Sequence, residues 1–321
     1  MKDLQLWRFI SDQLNKNEEV MFLCVPESSG SSPGRKGFKM AVSKSEMLGS
    51  IGGGIMEHKF VTYAKELLDD DNVNSILKKQ VHSKQQPKHQ SGMICSGEQT
   101  LALYRIKKED HVAILSIIHA MENQQIGYFT FSPEGILFYE NLDENITTSF
   151  LKESDEKWIY TETITFENYL YIVGGGHVSL AFSKLMHQLN FHITVFDDRE
   201  KLNTFEQNIF AHQKKIIDYE NVVELIGEEE NQYIVVMTFG YRTDGIVIRQ
   251  LLNKNYKYIG LLGSKTKIAK LLSELQEEGF DEFKIKSLHA PIGLAINSRT
   301  PEEIAISIAA EIIQVKNDVT I

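Results

Sequence analysis

Between Tyr169 and Asp197 a short β-rich run, Tyr169–Val173, leads into Gly174-Gly175-Gly176-His177-Val178-Ser179, then a helical pattern, then a second run, Ile193–Phe196, that ends at an acid. Glycines at the first and third positions of such a loop allow a tight turn that brings backbone N–H groups to a phosphate at a helix N-terminus. An acid about twenty residues on can accept from ribose hydroxyls. Gly174, Gly176 and His177 are therefore candidate phosphate contacts, and Asp197 is the candidate ribose acceptor. Ser179 stands where a third glycine is usual and is small enough for close helix–strand packing. The same pattern is met by a retained fold whose loop is empty, and His177 serves equally well as a structural helix cap. Arg199 is expected to pair with Asp198 at the surface.

The rest of this half repeats the alternation. Lys214–Ile217, Tyr233–Met237 and Tyr258–Leu262 are short β-rich runs separated by helical patterns, which predicts a parallel sheet with helices on both faces. A helix from Lys265 carries Ile268, Leu271, Leu272 and Leu275 on one face and stops at Gly279. The last helix starts at Thr300-Pro301-Glu302-Glu303, a capping box with proline at the first helical position, and its face of Ile304, Ile308 and Ile312 must pack on something. These features define a Rossmann-like domain over residues 167–321.

A length of 321 residues exceeds one ordinary core and points to a second domain. In residues 1–166 the runs Val20–Val25, Met40–Val42, Leu101–Ile106 and Tyr128–Phe131 read as strands, and Ile55–Leu68 and Val112–Met121 as helices, giving a mixed α+β domain. Lys78–Gln90 has almost no apolar residue and reads as a mobile loop with His82 and His89 solvated. The acidic stretch Leu151–Asn168 is weakly patterned and reads as the link, with the boundary near Glu167. The overall fold class is α/β.

A net charge of −10 excludes the diffuse basic field that nucleic-acid binding needs. No apolar run reaches eighteen residues and Met1–Val20 lacks a signal-peptide core, so the expectation is a cytoplasmic protein that does not engage membrane. Two cysteines, Cys24 and Cys95, are too few for a disulfide framework and lack the paired spacing of structural zinc. Cys24 lies in an apolar strand and reads as core.

Glycine is dense in Gly30-Ser31-Ser32-Pro33-Gly34-Arg35-Lys36-Gly37 and in Gly49-Ser50-Ile51-Gly52-Gly53-Gly54, the second running into a helix that bears Glu57 and His58. Successive exposed N–H groups at Gly52, Gly53 and Gly54 would form an anion nest, with Arg35 and Lys36 adding positive charge; tight turns without a ligand explain the glycines equally. Ser91-Gly92-Met93-Ile94-Cys95-Ser96-Gly97 sets a thiol between two glycines on a loop, where N–H donors favour the thiolate that binds soft metals or accepts sulfur.

Taken in order, Gly30-Ser31-Ser32-Pro33, Gly49–Gly54 with Glu57, Gly92–Gly97, Gly260-Leu261-Leu262-Gly263-Ser264-Lys265, Ala290-Pro291-Ile292-Gly293-Leu294 and Thr300-Pro301-Glu302-Glu303-Ile304-Ala305 resemble the XdhC/CoxI family, accessory proteins of xanthine dehydrogenase and related molybdenum hydroxylases. The resemblance implies a chaperone that binds molybdenum cofactor (molybdopterin), shields it while a terminal oxo ligand is exchanged for sulfido, and delivers it to the apo molybdenum hydroxylase. It further implies a cysteine desulfurase-type sulfur donor, Cys95 as molybdenum or sulfur ligand, and Gly52, Gly53, Gly54, Glu57, Gly174, Gly176, His177 and Asp197 as the cofactor-binding set. A homodimer is expected from the apolar terminal helix and the two-domain layout. The chain departs from the family at Ile55, where cysteine is frequent, at Phe239 and Tyr241, where histidine is frequent, and mildly at Ser96. Asp244 remains, as a substrate contact or, more simply, a helix cap. Two alternatives stand beside this reading: an oxidoreductase using NAD(P), for which no proton-transfer constellation stands out, and a non-enzymatic scaffold that binds another nucleotide.

Overall fold

The computed structural model describes residues 3–70, 72–82, 97–123, 125–140, 146–166, 168–228 and 231–317, arranged in two compact units, Met1–Thr165 and Phe166–Ile321. The first unit contains α1 (Leu4–Asn15), β1 (Met21–Gly30), β2 (Lys39–Val42), β3 (Met47–Gly49), α2 (Gly54–Leu67), β4 (Ser75–His82), β5 (Gly97–Arg105), α3 (His111–Glu122), β6 (Gly127–Ser132), β7 (Gly135–Glu140), β8 (Ser149–Lys152) and β9 (Trp158–Ile164). They build two antiparallel sheets, ordered β3-β2-β1-β5-β4 and β7-β6-β9-β8.

The start of β1 is apolar at every position because both of its faces are covered. Phe22 and Cys24 join Trp7 and Ile10 of α1, Ile114 and Ile117 of α3, and Phe129, Phe131 and Trp158 of the second sheet. Met21, Leu23 and Val25 pack instead with Leu101, Leu103 and with Ala64 and Leu67 of α2. Cys24 is wholly buried, and burial pushes its thiol well above the usual range, so it is the inert core thiol that its strand position implied.

Opposite Cys24 in the β1–β2 register sits Lys39. Its buried Nζ donates to Asp3 Oδ2 at 2.7 Å, Glu162 Oε1 at 2.7 Å and Gly37 O at 2.9 Å. One ammonium thus ties the lead-in to α1, the first sheet and β9 together.

Two expectations are corrected here. Residues 78–82, read as part of a mobile loop, continue β4 and pair with β5 from Lys78↔Leu101 to His82↔Gly97; residues 83–90, with His89, lie outside the described set. A strand at the end of a sheet does not need an apolar residue at every other position, and lysine suits an edge. Lys79 meets Glu98 at 2.5 Å, and Lys78 lies over the Tyr63 ring at 4.6 Å. The stretch read as a link, residues 151–168, instead contributes β8 and β9 to the second sheet. Alternation in Trp158-Ile159-Tyr160 buries Trp158 and Tyr160 and exposes Ile159, a period-two signal that the acidic flanks obscured.

The second unit runs β10 (Tyr169–Val173), α4 (His177–Gln188), β11 (His192–Asp197), α5 (Asn203–Glu206), β12 (Gln213–Ile216), α6 (Val222–Leu225), β13 (Gln232–Val236), α7 (Tyr241–Leu251), β14 (Tyr258–Leu261), α8 (Lys265–Glu277), α9 (Glu282–Ser287) and α10 (Pro301–Asn317). Its five strands are parallel, in the order β12-β11-β10-β13-β14, and His289 adds a parallel bridge at Gly260. Helices cover both faces. Ile172 and Val195 pack with Phe182 and Met186 of α4 and Ile308 and Ile312 of α10. On the other face Val173 and Val236 pack with Val247 and Leu251 of α7, Ile268 and Leu271 of α8, and Ile285 of α9. The fold is therefore α/β, with a Rossmann-like parallel domain after a mixed α+β one. The edge strand β12 is exposed and carries Lys214 and Lys215.

The terminal helix begins as its sequence demanded: Thr300 N donates to Glu303 Oε2 at 3.0 Å and Glu303 N to Thr300 Oγ1 at 3.2 Å. α8 is capped by Ser264 and followed by Gly279 at φ +87°. Among the described residues no helix is long and apolar enough to cross a membrane.

Candidate functional site

In the first unit the glycine motifs converge because their backbones lie against one another. Gly30 at the end of β1 pairs with Gly97 at the start of β5. A Cβ on Gly97 would fall 2.4 Å from Ser32 N, one on Gly34 2.3 Å from Ile51 O, and one on Gly52 2.4 Å from Gly34 N. The three loops touch where no side chain fits. Gly34 N donates to Gln99 Oε1 at 2.8 Å, and Ser32 Oγ donates to Gly34 O at 2.8 Å. Arg35 and Lys36, expected to face an anion, donate to the carbonyls of Gly30 and Thr148.

Within this cluster Gly53 and Gly54 have φ of +74° and +71°, and nothing lies within 4 Å of where their Cβ atoms would be. Ile55, the next residue, is exposed. Glu57, on the first turn of α2, accepts from Ser50 Oγ at 2.7 Å, Ile51 N at 2.9 Å and Gly53 N at 3.0 Å. Burial raises the Glu57 carboxyl, but these donors outweigh it and hold the group below the ordinary glutamate range. Cys95 lies outside the described residues, as do Gly92–Ser96; Gly97, which closes that motif, is described. Among the described residues no group of three or more His, Cys, Asp or Glu side chains is placed to hold a metal ion.

The second unit gathers its loops at the C-terminal ends of β10 and β13. Successive strands step outward from β10 in both directions, which makes this the switch point where open parallel sheets take ligands. Gly174 has φ +114°, and a Cβ there would meet Met237 O at 2.3 Å, so the loop after β10 rests on the one after β13. Gly176 caps α4, and the space at its Cβ position is open. His177, the first residue of the helix, is exposed. Ser179 is fully buried, as a stand-in for the third glycine must be.

Asp197 ends β11 at the expected place and is fully buried. Gly175 N donates to its Oδ2 at 2.6 Å, Arg199 Nη2 to Oδ2 at 2.8 Å, and Arg199 Nε to Oδ1 at 2.7 Å. Burial raises this carboxyl too, yet the Arg199 guanidinium and the Gly175 and Arg199 N–H groups bring it below the usual range. Arg199 therefore forks onto Asp197, with Asp198 only at 3.8 Å, where a surface pair with Asp198 was expected. The fixed guanidinium geometry matches one carboxylate bidentately, and the buried one offers the better-desolvated partner.

Asp244 is fully buried and does not act as a simple cap. Its Oδ1 accepts from Thr238 N at 3.0 Å and Thr238 Oγ1 at 2.5 Å, and its Oδ2 ion-pairs with Lys267. The pair fastens the loop that carries Phe239, 94% exposed, to the first turn of α8. Sequence reasoning passed over Lys267; the only signal was its place three residues after the cap Ser264.

A two-unit chain with a glycine-lined α+β unit and a parallel unit bearing a phosphate-type loop is the class these loops define. Two family models match it in that order, the XdhC and CoxI family over residues 13–77 and the XdhC Rossmann domain over residues 170–312, together well over half the chain. The chain belongs to the XdhC and CoxI family. It is 24% identical over 330 aligned positions, 96% of each chain, to a probable xanthine dehydrogenase subunit of Bacillus subtilis (strain 168). It is 35% identical over 153 residues to the uncharacterized protein YqeB of Escherichia coli (strain K12); that match takes 46% of this chain and spans only 27% of YqeB's length. A crystal structure of a xanthine dehydrogenase from Bacillus halodurans shares the fold, with a TM-score of 0.71 at 20% identity over 100% of this chain and 97% of that one.

Proposed function

We propose that this chain is an accessory protein of a xanthine dehydrogenase-type molybdenum hydroxylase. On this reading it binds molybdenum cofactor, protects it while an oxo ligand is exchanged for sulfido, and passes it to the apo-hydroxylase. The observation that carries the reading is the loop Gly174–Ser179, where an open glycine, Gly176, begins α4 beside a switch point of the sheet. The first-turn N–H groups of α4 suit the phosphate of a molybdopterin, with His177 exposed beside them. The Bacillus subtilis relative, matched along 96% of both chains and named as a probable part of a xanthine dehydrogenase, supports the choice of client. Bound cofactor would supply the metal centre of the hydroxylase; the thiol we assign to its metal end is Cys95. A cysteine desulfurase-type donor supplies the sulfur, and a second copy of the chain completes the expected assembly.

Against NAD(P) stands the commitment of both Asp197 oxygens to Gly175 and Arg199, which leaves the ribose without its usual acceptor. The test uses protein expressed in a molybdopterin-competent host. Bound pterin is released, oxidised and read by fluorescence, and molybdenum is assayed on the same sample. Pterin and metal in comparable amounts are expected. Neither, together with saturable binding in a nicotinamide titration, would overturn the reading in favour of an oxidoreductase.

A further inference from the structure

A hollow of about 520 Å³ opens at the N-terminal end of β14, between the turn that leaves α7 and the short helix α9. That is the size of a small-molecule site, and it lies at the opposite end of the parallel strands from the loop Gly174–Ser179. Ile259 and Leu288 give it an apolar wall, and Lys254, Lys257, Lys284 and Lys286 line it. Among the described residues no carboxylate lines it, although the chain as a whole carries a net charge of −10.

The nearby acids are engaged elsewhere. Glu311 takes Tyr258 Oη and Gly293 N and meets His289 Nδ1, and Glu228 takes Asn255 N. Glu282 meets Lys286 at 2.6 Å, a contact between exposed side chains that solvent screens. Among the described residues Lys254 and Lys257 are matched to no carboxylate, whereas Lys44 lies against Asp69 and Lys157 against Glu153. Lys284 is fixed in place: its Nζ donates to Lys254 O at 3.1 Å and Asn255 Oδ1 at 2.6 Å, which leaves one of its three N–H donors. Four ammoniums gathered in one hollow repel one another until an anion enters. Phe283, also on the lining, is 84% exposed and offers a flat apolar face beside them.

We infer that this hollow is a second ligand site that takes a nucleoside diphosphate, its diphosphate held by the lysines and its base stacked on Phe283. Lysine binds phosphate as a point charge, and an exposed ring accepts any planar base. The inference does not rest on the proposed function.

The experiment is lysine acetylation of the full-length chain over a series of ADP concentrations, read peptide by peptide by mass spectrometry, so that this hollow is followed apart from the loop at Gly174. ADP should protect Lys254, Lys257, Lys284 and Lys286 saturably, and adenosine should protect none of them. Protection at Lys286 then reports affinity in variants. Lys254→Gln with Lys257→Gln should raise its midpoint about tenfold or more, as loss of charge-assisted contacts requires, while Lys16→Gln with Lys59→Gln, the same change of net charge on the first unit, should leave it in place. ADP that leaves the four lysines unprotected, or a pocket double variant with the wild-type midpoint, overturns the site. Phe283→Ala should weaken protection by ADP and not by inorganic diphosphate; an equal effect on both, or diphosphate that binds wild type as tightly as ADP, overturns the assignment of a nucleotide.

Discussion

Two glycines in one loop carry different duties, and a single methyl group separates them. At Gly174 the backbone is at φ +114° and a Cβ would sit 2.3 Å from Met237 O. Gly174→Ala should therefore cost on the order of 1–3 kcal/mol or more, read from urea midpoints. At Gly176 the backbone is at φ −72° and the Cβ position is open. Gly176→Ala should leave the midpoint within about 0.5 kcal/mol of wild type while, on the proposed function, lowering pterin content, because the methyl enters the open space where we propose the cofactor phosphate sits. Equal losses of stability in both variants would refute that division. Lys39 is a third residue whose cost is calculable. Lys39→Ala strands Glu162 and Asp3 beside the core, and removing one partner of a buried pair costs about 3–5 kcal/mol. A double variant, Lys39→Met with Glu162→Gln, should recover a large part of that loss in the same denaturation assay, since it removes the stranded charge of Glu162 as well.

At the scale of elements, α10 owes its position to a cap and an apolar face. Thr300→Ala should cost about 1 kcal/mol through the lost capping box, and Ile308→Ala about 2–5 kcal/mol through the cavity opened against α4. A larger loss for the cap than for the core residue, measured by chemical denaturation, would contradict this packing. The elements of the parallel unit were legible because the inner strands β10, β11, β13 and β14 are closed apolar runs and helices carry marked starts or stops, as at Ser264, Gly279 and Thr300. β4 and β9 were not, because an edge strand tolerates lysine and because alternation around Trp158 is short and set among acids. Of the candidate site, Gly174, Gly176 and Asp197 could be placed from spacing alone. What spacing cannot convey is which donors a carboxylate takes: Glu57 and Asp197 both turn back onto glycine N–H groups, a matter of three-dimensional reach. Lys267 meets Asp244 across 23 positions of sequence, and no local pattern encodes that pair.

The acid limb of the whole chain's stability curve should have two parts. His187, His192 and His212 stack in the second unit with ring centroids 5.2 and 4.9 Å apart, and Ile193 N donates to His212 Nδ1 at 3.0 Å. Burial first, then neighbouring histidines, lower His212 from 6.5 to about 4, and burial lowers His192. The unfolded chain binds these protons before the folded one, so stability is full above about pH 6.5 and falls as pH drops toward 4. After solvent screening the loss is on the order of 1–2 kcal/mol. Glu57 and Asp197, held low in the fold, add a separate loss only as pH falls below their ordinary range. His212→Gln, with an amide oxygen to receive Ile193 N–H, should flatten the upper part of a stability–pH series and leave the lower part; an unchanged upper limb would refute the assignment.

Among the described residues, each unit also ends a sheet on a strand that carries lysines: Lys78 and Lys79 on β4, Lys214 and Lys215 on β12. An unpaired strand edge is a template on which another chain can extend the ladder, and stacked copies would bring like charges face to face. The lysines that hid β4 from sequence inspection are thus, like those of β12, the residue type that weighs against a further strand zipping onto an edge.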